Sequence, residues 1–204
     1  PPDRPARGRI GELIERYKLE GSLDAQLAFA SDSTGKETFR LEVQPHDLAL
    51  DVRGHRLHIK ESTGRIIVEP GRVGLDHWGG SFGSGSFKAS GQIVLDPMTV
   101  ELTFDVQADQ IDEVTRVALP DGVLTTLDGL KINGGYAVRD GQLFYRPGDP
   151  TAGQFGERVL DFSAVIELRG ASGHVGVPIT ELNGQVFVEA IKAPGDSLPR
   201  IGLQ

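Results

Sequence analysis

The 204-residue sequence predicts a mainly β chain built from antiparallel meanders. Three observations carry that expectation. Apolar and polar residues alternate over most of residues 20–190, the period-two signature of strands with one apolar face. Glycine (27 residues) and proline (12) are plentiful, as a chain of many strands joined by turns requires. One frame, I-x-E-x-x-G-x-[IV]-x-V-E, occurs twice: at Ile59-Lys60-Glu61-Ser62-Thr63-Gly64-Arg65-Ile66-Ile67-Val68-Glu69 and at Ile179-Thr180-Glu181-Leu182-Asn183-Gly184-Gln185-Val186-Phe187-Val188-Glu189. A glycine between alternating apolar positions suits a hairpin turn, and its recurrence suggests a module used more than once.

The elements follow in order. Residues 1–8, rich in Pro, Arg and Gly, read as a linker. Ile10, Leu13, Ile14 and Tyr17 form the stripe of a short amphipathic helix over about 9–18. One-faced strands then carry Leu23, Ala25, Leu27 and Phe29; Phe39, Leu41 and Val43; Leu48, Leu50 and Val52; Leu57 and Ile59; Ile66 and Val68; and Val73 and Leu75. Arg53-Gly54-His55 and Thr63-Gly64-Arg65 are the expected turns between them. The glycine-dense stretch Gly79–Gly91 reads as a tight turn between strands, because Phe87, Ala89, Ile93 and Leu95 resume the alternation.

The longest clean strand covers 98–108, with Val100, Leu102, Phe104, Val106 and Ala108 on one face. Asp109 is the expected cap of a helical insert over 110–127 that carries Asp112 and Glu113 in its first turn and is interrupted by Leu119-Pro120. A second helical turn is expected around Val123, Leu124 and Leu127. Such an insert reads as a plug or end cover for a sheet. Strands resume at Leu130–Ile132, Tyr136–Val138 and Leu143–Tyr145, the last two joined by Arg139-Asp140-Gly141. They continue through Leu160, Phe162, Ala164, Ile166 and Leu168 to Val175–Ile179 and Val186–Val188. Residues 194–204 read as a linker or tail. The domain expectation is one β segment over 9–193, with a partial repeat (about 20–110 and 130–193) around the helical insert.

Composition narrows the function. A formal net charge of −8 gives no global positive field, which disfavours nucleic acid as a partner. Without cysteine there is no disulfide, thiolate metal site or cysteine nucleophile. No stretch approaches the roughly 18 apolar residues of a membrane helix. The opening Pro1-Pro2-Asp3-Arg4-Pro5 suggests a processed chain or an excised segment.

No catalytic constellation emerges. Lys88 follows Phe87 and precedes Ala89, so the glycine-rich stretch lacks the Walker order. His55 and His58 have odd spacing and would point to opposite faces of a strand, against a shared metal. Glu101 and Asp105 share a face but lie ~13 Å apart at strand rise, too far for a glycosidase pair. No G-x-S-x-G elbow is present. Trp78 beside Gly79-Gly80 offers a sugar-stacking platform or an edge plug. No metal and no cofactor are therefore expected, and the chain reads as a non-enzyme.

One-faced strands admit two architectures. A closed sandwich or barrel brings the apolar faces together, as in a structural or adhesin-like module that binds glycan through Trp78. An open curved sheet leaves the face to a ligand such as an acyl chain. The order of motifs resembles one repeat of the AsmA-like superfamily, which includes TamB and YhdP. The resemblance rests on Ile59-x-Glu-x-x-Gly64-x-Ile-x-Val68; on Gly79-Gly80 through Phe87-x-Ala-x-Gly91; on Phe104-x-Val-x-Ala108 followed by Ile111 to Leu119-Pro120; and on Leu130 through Gly134-Gly135 with Asp140-Gly141. It implies an elongated, twisted, taco-like antiparallel β-groove of about a dozen strands, holding phospholipid or another acyl lipid for intermembrane transport or outer-membrane assembly. It also implies a periplasmic or envelope location in a diderm bacterium, with a parent chain anchored in the inner membrane. The implied lining is Leu23, Leu27, Phe29, Leu41, Leu50, Leu102, Phe104, Val106, Phe162, Ile166 and Leu168.

Overall fold

A computed structural model describes residues 15, 17–31, 37–52, 54–118, 128–129, 131–147, 159–174, 176–192 and 200–203. Ten strands form one antiparallel sheet whose spatial order is the sequence order. They are β1 (Glu20–Ser31), β2 (Glu37–Val52), β3 (His55–Glu69), β4 (Arg72–Phe82), β5 (Gly85–Leu95), β6 (Met98–Ala108), β7 (Asn133–Arg146), β8 (Val159–His174), β9 (Pro178–Lys192) and β10 (Arg200–Leu203). Helix α1 (Glu113–Ala118) sits between β6 and β7. The fold is thus mainly β, an elongated, twisted and open antiparallel sheet. Ten strands at the usual spacing extend about 43 Å from edge to edge, less than a dozen would give.

The strands are longer and fewer than the alternation suggests, and the difference lies in bulges. Thr63-Gly64-Arg65 and Arg139-Asp140-Gly141 are not turns; they lie inside β3 and β7. Glu61, His77, Asp140 and Glu181 adopt left-handed backbone with φ of 51°, 51°, 52° and 57°, and Gly170 joins them at 57°. The ladder slips beside each of them. A bulge inserts one residue and resets the alternation. Apolar residues at odd spacing, such as Ile59 and Ile66, Leu75 and Trp78, or Val138 and Leu143, consequently face the same side. In β2 the slip between Val43 and Leu48 does the same for Pro45 and Leu48. Both copies of the repeated frame fold this way, with the frame glutamates Glu61 and Glu181 as the left-handed residues.

The glycine-rich stretch does contain a turn, at Gly83-Ser84 between β4 and β5, while Gly79 and Gly80 belong to β4. The Val52-to-His55 connection is a turn with Gly54 at φ 83°, as expected. Lys131 is in a turn, and the strand expected from Leu130 begins instead at Asn133. Arg200–Leu203, within the segment read as tail, pairs with β9 from Val188 to Ile191. Of the helix expected over 9–18, only Glu15, Tyr17 and Lys18 are among the described residues; Val123, Leu124, Leu127 and Val175 lie outside them.

The tightest packing gathers where α1 meets one end of the sheet. Ile59, Phe82, Ala108, Tyr136 and Ala171 are buried there, and Thr115 of α1 is 1% exposed. Asp112, not Asp109, caps the helix: its Oδ1 accepts the Thr115 N–H at 2.8 Å, and its Oδ2 accepts the Ser84 N–H and hydroxyl at 3.3 Å. Burial alone would raise the Asp112 carboxyl, but these hydrogen bonds outweigh it and hold the pKa below its ordinary value. Asp112→Ala should therefore cost about 1 kcal/mol in urea unfolding at neutral pH. Because the folded-state pKa is depressed, that contribution is complete above the ordinary aspartate pKa and fades as pH falls through the lower folded value. Wild type and variant should converge in acid; a constant difference at every pH would show that the carboxylate charge is not what holds α1.

Candidate functional site

The ladder registers assign every strand's side chains to one of two faces. Leu23, Leu27 and Phe29 of β1 stand opposite Pro45, Leu41 and Phe39 of β2. Leu41 and Leu50 continue to Val68 and Leu57 of β3. Val106, Phe104 and Leu102 of β6 lie between Phe87, Ala89 and Gly91 of β5 and Val138, Gly141 and Leu143 of β7. Leu168, Ile166 and Phe162 of β8 continue that row from Tyr136, Val138 and Leu143. All eleven residues named from the sequence therefore share one face, and the row runs on to Val186, Val188 and Ala190 of β9.

This face is packed at one end and uncovered at the other. Near α1, a Cβ on Gly80 would lie 2.7 Å from Ile59 Cγ2, so the glycine lets that side chain settle against β4. Further along, Gly141 leaves room for the Phe104 ring, which stacks on Phe162 across β7 with centroids 6.2 Å apart. The face opens toward β1, where Leu23, Leu27 and Phe29 are 50%, 53% and 76% exposed. Among the described residues no second sheet lies against it: the strands contact their ladder neighbours, and the helix packs on β3. Leu102, Phe104, Phe162 and Ile166 are half-buried.

The lining expected from the sequence does not include Trp78, Phe82 and Phe87, an aromatic cluster on the same face within the glycine-rich stretch. Trp78 and Phe87 meet edge-to-face at 5.0 Å, and the indole N–H donates to Ser62 Oγ at 3.0 Å. The sequence does carry a signal for them: Trp78, Gly80 and Phe82 alternate, as do Gly85, Phe87 and Ala89, with glycine standing at apolar positions. Trp78 is half-buried and engaged, which removes the flat exposed ring that a sugar platform needs.

Over β2–β4 the opposite face is polar and ion-paired, whereas over β7–β9 it also carries Phe144, Val165, Phe187 and Ile191. Arg40 binds Glu42 at 2.8 Å and Glu69 at 2.7 Å; Arg65 reaches Glu42 at 3.2 Å and Asp76 at 2.7 Å; Arg72 pairs with Glu69. The arginine hydrogen bonds hold the carboxyls of Glu42 and Glu69 below their ordinary range; the His77 contact, followed by Arg65, does the same for Asp76. Exposed pairs of this kind add little stability but make the face costly to dehydrate. The acids weighed for catalysis are on this side: Glu101 accepts from Gln92 Nε2 at 2.8 Å, and Asp105 accepts the bulge N–H of Asp140 at 3.0 Å. A concavity of about 620 Å³ over β5–β8 is lined largely by this polar set, including Ser90, Gln92, Glu101, Thr103, Gln142 and Asp161.

No family model, curated protein or solved structure matches the chain. Among the described residues no three His, Asp or Glu side chains assemble as a metal site. No helix among them is long and apolar enough to cross a membrane, which says nothing of a β-barrel. His46 and His77 instead pair with Asp24 at 2.9 Å and Asp76 at 2.8 Å.

Proposed function

We propose that this chain is a non-enzymatic, lipid-carrying segment of an AsmA-like envelope protein, holding acyl chains along its apolar sheet face during intermembrane phospholipid transport or outer-membrane assembly. One observation supports this reading above the others: a continuous apolar row from β1 to β9 that no second layer covers among the described residues. Acyl chains suit such a surface because they ask only for apolar contact, each buried methylene contributing about 0.8 kcal/mol. Over β2–β4 the ion-paired opposite face keeps the sheet wet on its other side. The location that accompanies the reading is the periplasm or cell envelope of a diderm bacterium, with phospholipid or another acyl lipid as partner. A glycan-binding sandwich finds no support, since a single open sheet has no opposing sheet and Trp78 is a packing group.

The test is native mass spectrometry with lipid extraction on purified chain, comparing wild type with Phe104→Glu, Phe162→Glu and Leu27→Glu. Wild type should carry phospholipid. Leu27→Glu, at the uncovered end, should stay folded and lose much of it, whereas the two phenylalanine variants also disturb a stacked pair. A lipid-free wild type that also fails to take up phospholipid from vesicles would overturn the proposal.

A further inference from the structure

β1 is an edge strand of 12 residues, and among the described residues nothing pairs with its outer side. Exposed edges are ordinarily protected by proline, lysine, a bulge or brevity. β1 has none of these: it contains no Pro, Lys or Arg, and the bulge in its ladder lies on β2.

Of the antiparallel registers in which β1 can meet a second β1, the one about Gln26 sets all four of its apolar-face residues, Leu23, Ala25, Leu27 and Phe29, opposite apolar residues. A two-fold axis at Gln26 sets Leu23 opposite the partner's Phe29 and Ala25 opposite the partner's Leu27, all on the apolar face. On the polar face it sets Asp24 opposite the partner's Ala28, Ser22 opposite the partner's Ala30, and Gln26 opposite the partner's Gln26. Over residues 21–31 no like charges meet, and Phe29 and Leu23, 76% and 50% exposed, stand opposite one another. A slip of four residues to an axis at Asp24 loses this match, because Asp24 then faces the partner's Asp24.

We propose that β1 is a self-association edge, pairing antiparallel about Gln26 with β1 of a second copy of this chain. The operation is isologous and closes at two subunits, so it yields a dimer and not a filament. Twenty strands then form one sheet, and the apolar row passes across the two-fold axis without a break. The pairing requires no lipid.

The absence of cysteine makes the register directly readable. In Gln26→Cys the two thiols oppose each other at a Cα separation of about 4.5–5.5 Å, within disulfide reach. Mild oxidation should give a covalent dimer of Gln26→Cys and little from Ala28→Cys, which faces the partner's Asp24. By sedimentation, wild type should be a concentration-dependent dimer. Ala28→Asp should weaken it on the order of tenfold by setting carboxylates against the partner's Asp24 twice over. In its own chain the new acid faces Arg40 across the β1–β2 ladder, so the monomer keeps its fold. Adding Asp24→Lys to Ala28→Asp should restore the dimer. A wild type that stays monomeric at every concentration, or a dimer indifferent to Ala28→Asp and cross-linking equally through both cysteines, overturns the assignment.

Discussion

Gly64→Ala is expected to lower folding stability by about 3 kcal/mol, while Gly184→Ala, at the matching position of the second frame copy, stays within about 0.5 kcal/mol of wild type. Gly64 has φ of 76°, and a Cβ there would lie 2.2 Å from the His77 carbonyl oxygen and 2.5 Å from that of Asp76. Those carbonyls belong to the β4 bulge opposite, and backbone cannot swing aside as a side-chain tip can. Gly184 has no such φ, and a methyl group added there would meet nothing within 4 Å. Urea unfolding of the two variants side by side decides the matter. Equal losses would mean that the repeated glycine performs one job in both copies, contrary to the geometry.

Ile59→Ala should cost about 3 kcal/mol, in the range for a large aliphatic side chain removed from a packed site. Ile59 is 5% exposed and wedged against β4 where Gly80 makes room. Leu27→Ala, at a position 53% exposed, should cost less than about 1 kcal/mol because half of its surface already meets water. The same apolar face therefore divides by role. Substitutions near α1 should move the unfolding midpoint, and those near β1 should move lipid retention or self-association with little effect on stability. If Leu27→Ala proved as destabilising as Ile59→Ala, the open end would be covered in solution and the lipid proposal would lose its surface.

Much of this is legible in the sequence. Alternation locates the faces of β1, β2, β6 and β8 correctly, since each holds a run in which side-chain period and backbone period agree. The helix Glu113–Ala118 after β6 also follows from the break in pattern and the acidic first turn. The bulges read as turns because glycine beside polar residues signals a turn, and the local chemistry of a left-handed residue is the same in a turn and in a bulge. What distinguishes them is odd spacing between apolar residues, Ile59 to Ile66 and Val138 to Leu143. A hairpin reverses the chain there; a bulge keeps it moving while preserving the face. Asp109 stands first after the strand and so resembles the cap, yet only Asp112 has both Thr115 and the Ser84 turn within reach. The Trp78, Phe82 and Phe87 cluster is obscured in the sequence by the small residues that make space for it.

Strand order that follows chain order has a further consequence. Every ladder joins sequence neighbours, so no pairing waits for a distant part of the chain, and the loop-closure cost of each new strand is small. Such a sheet can assemble by accretion, each strand templating the next as it emerges, and it can fray from either border while its middle stays intact, much as linear repeat proteins do. Hydrogen exchange should accordingly rise in steps from β5 and β6, whose ladder runs unbroken from Gly85–Ala108 to Leu95–Met98, toward the two borders.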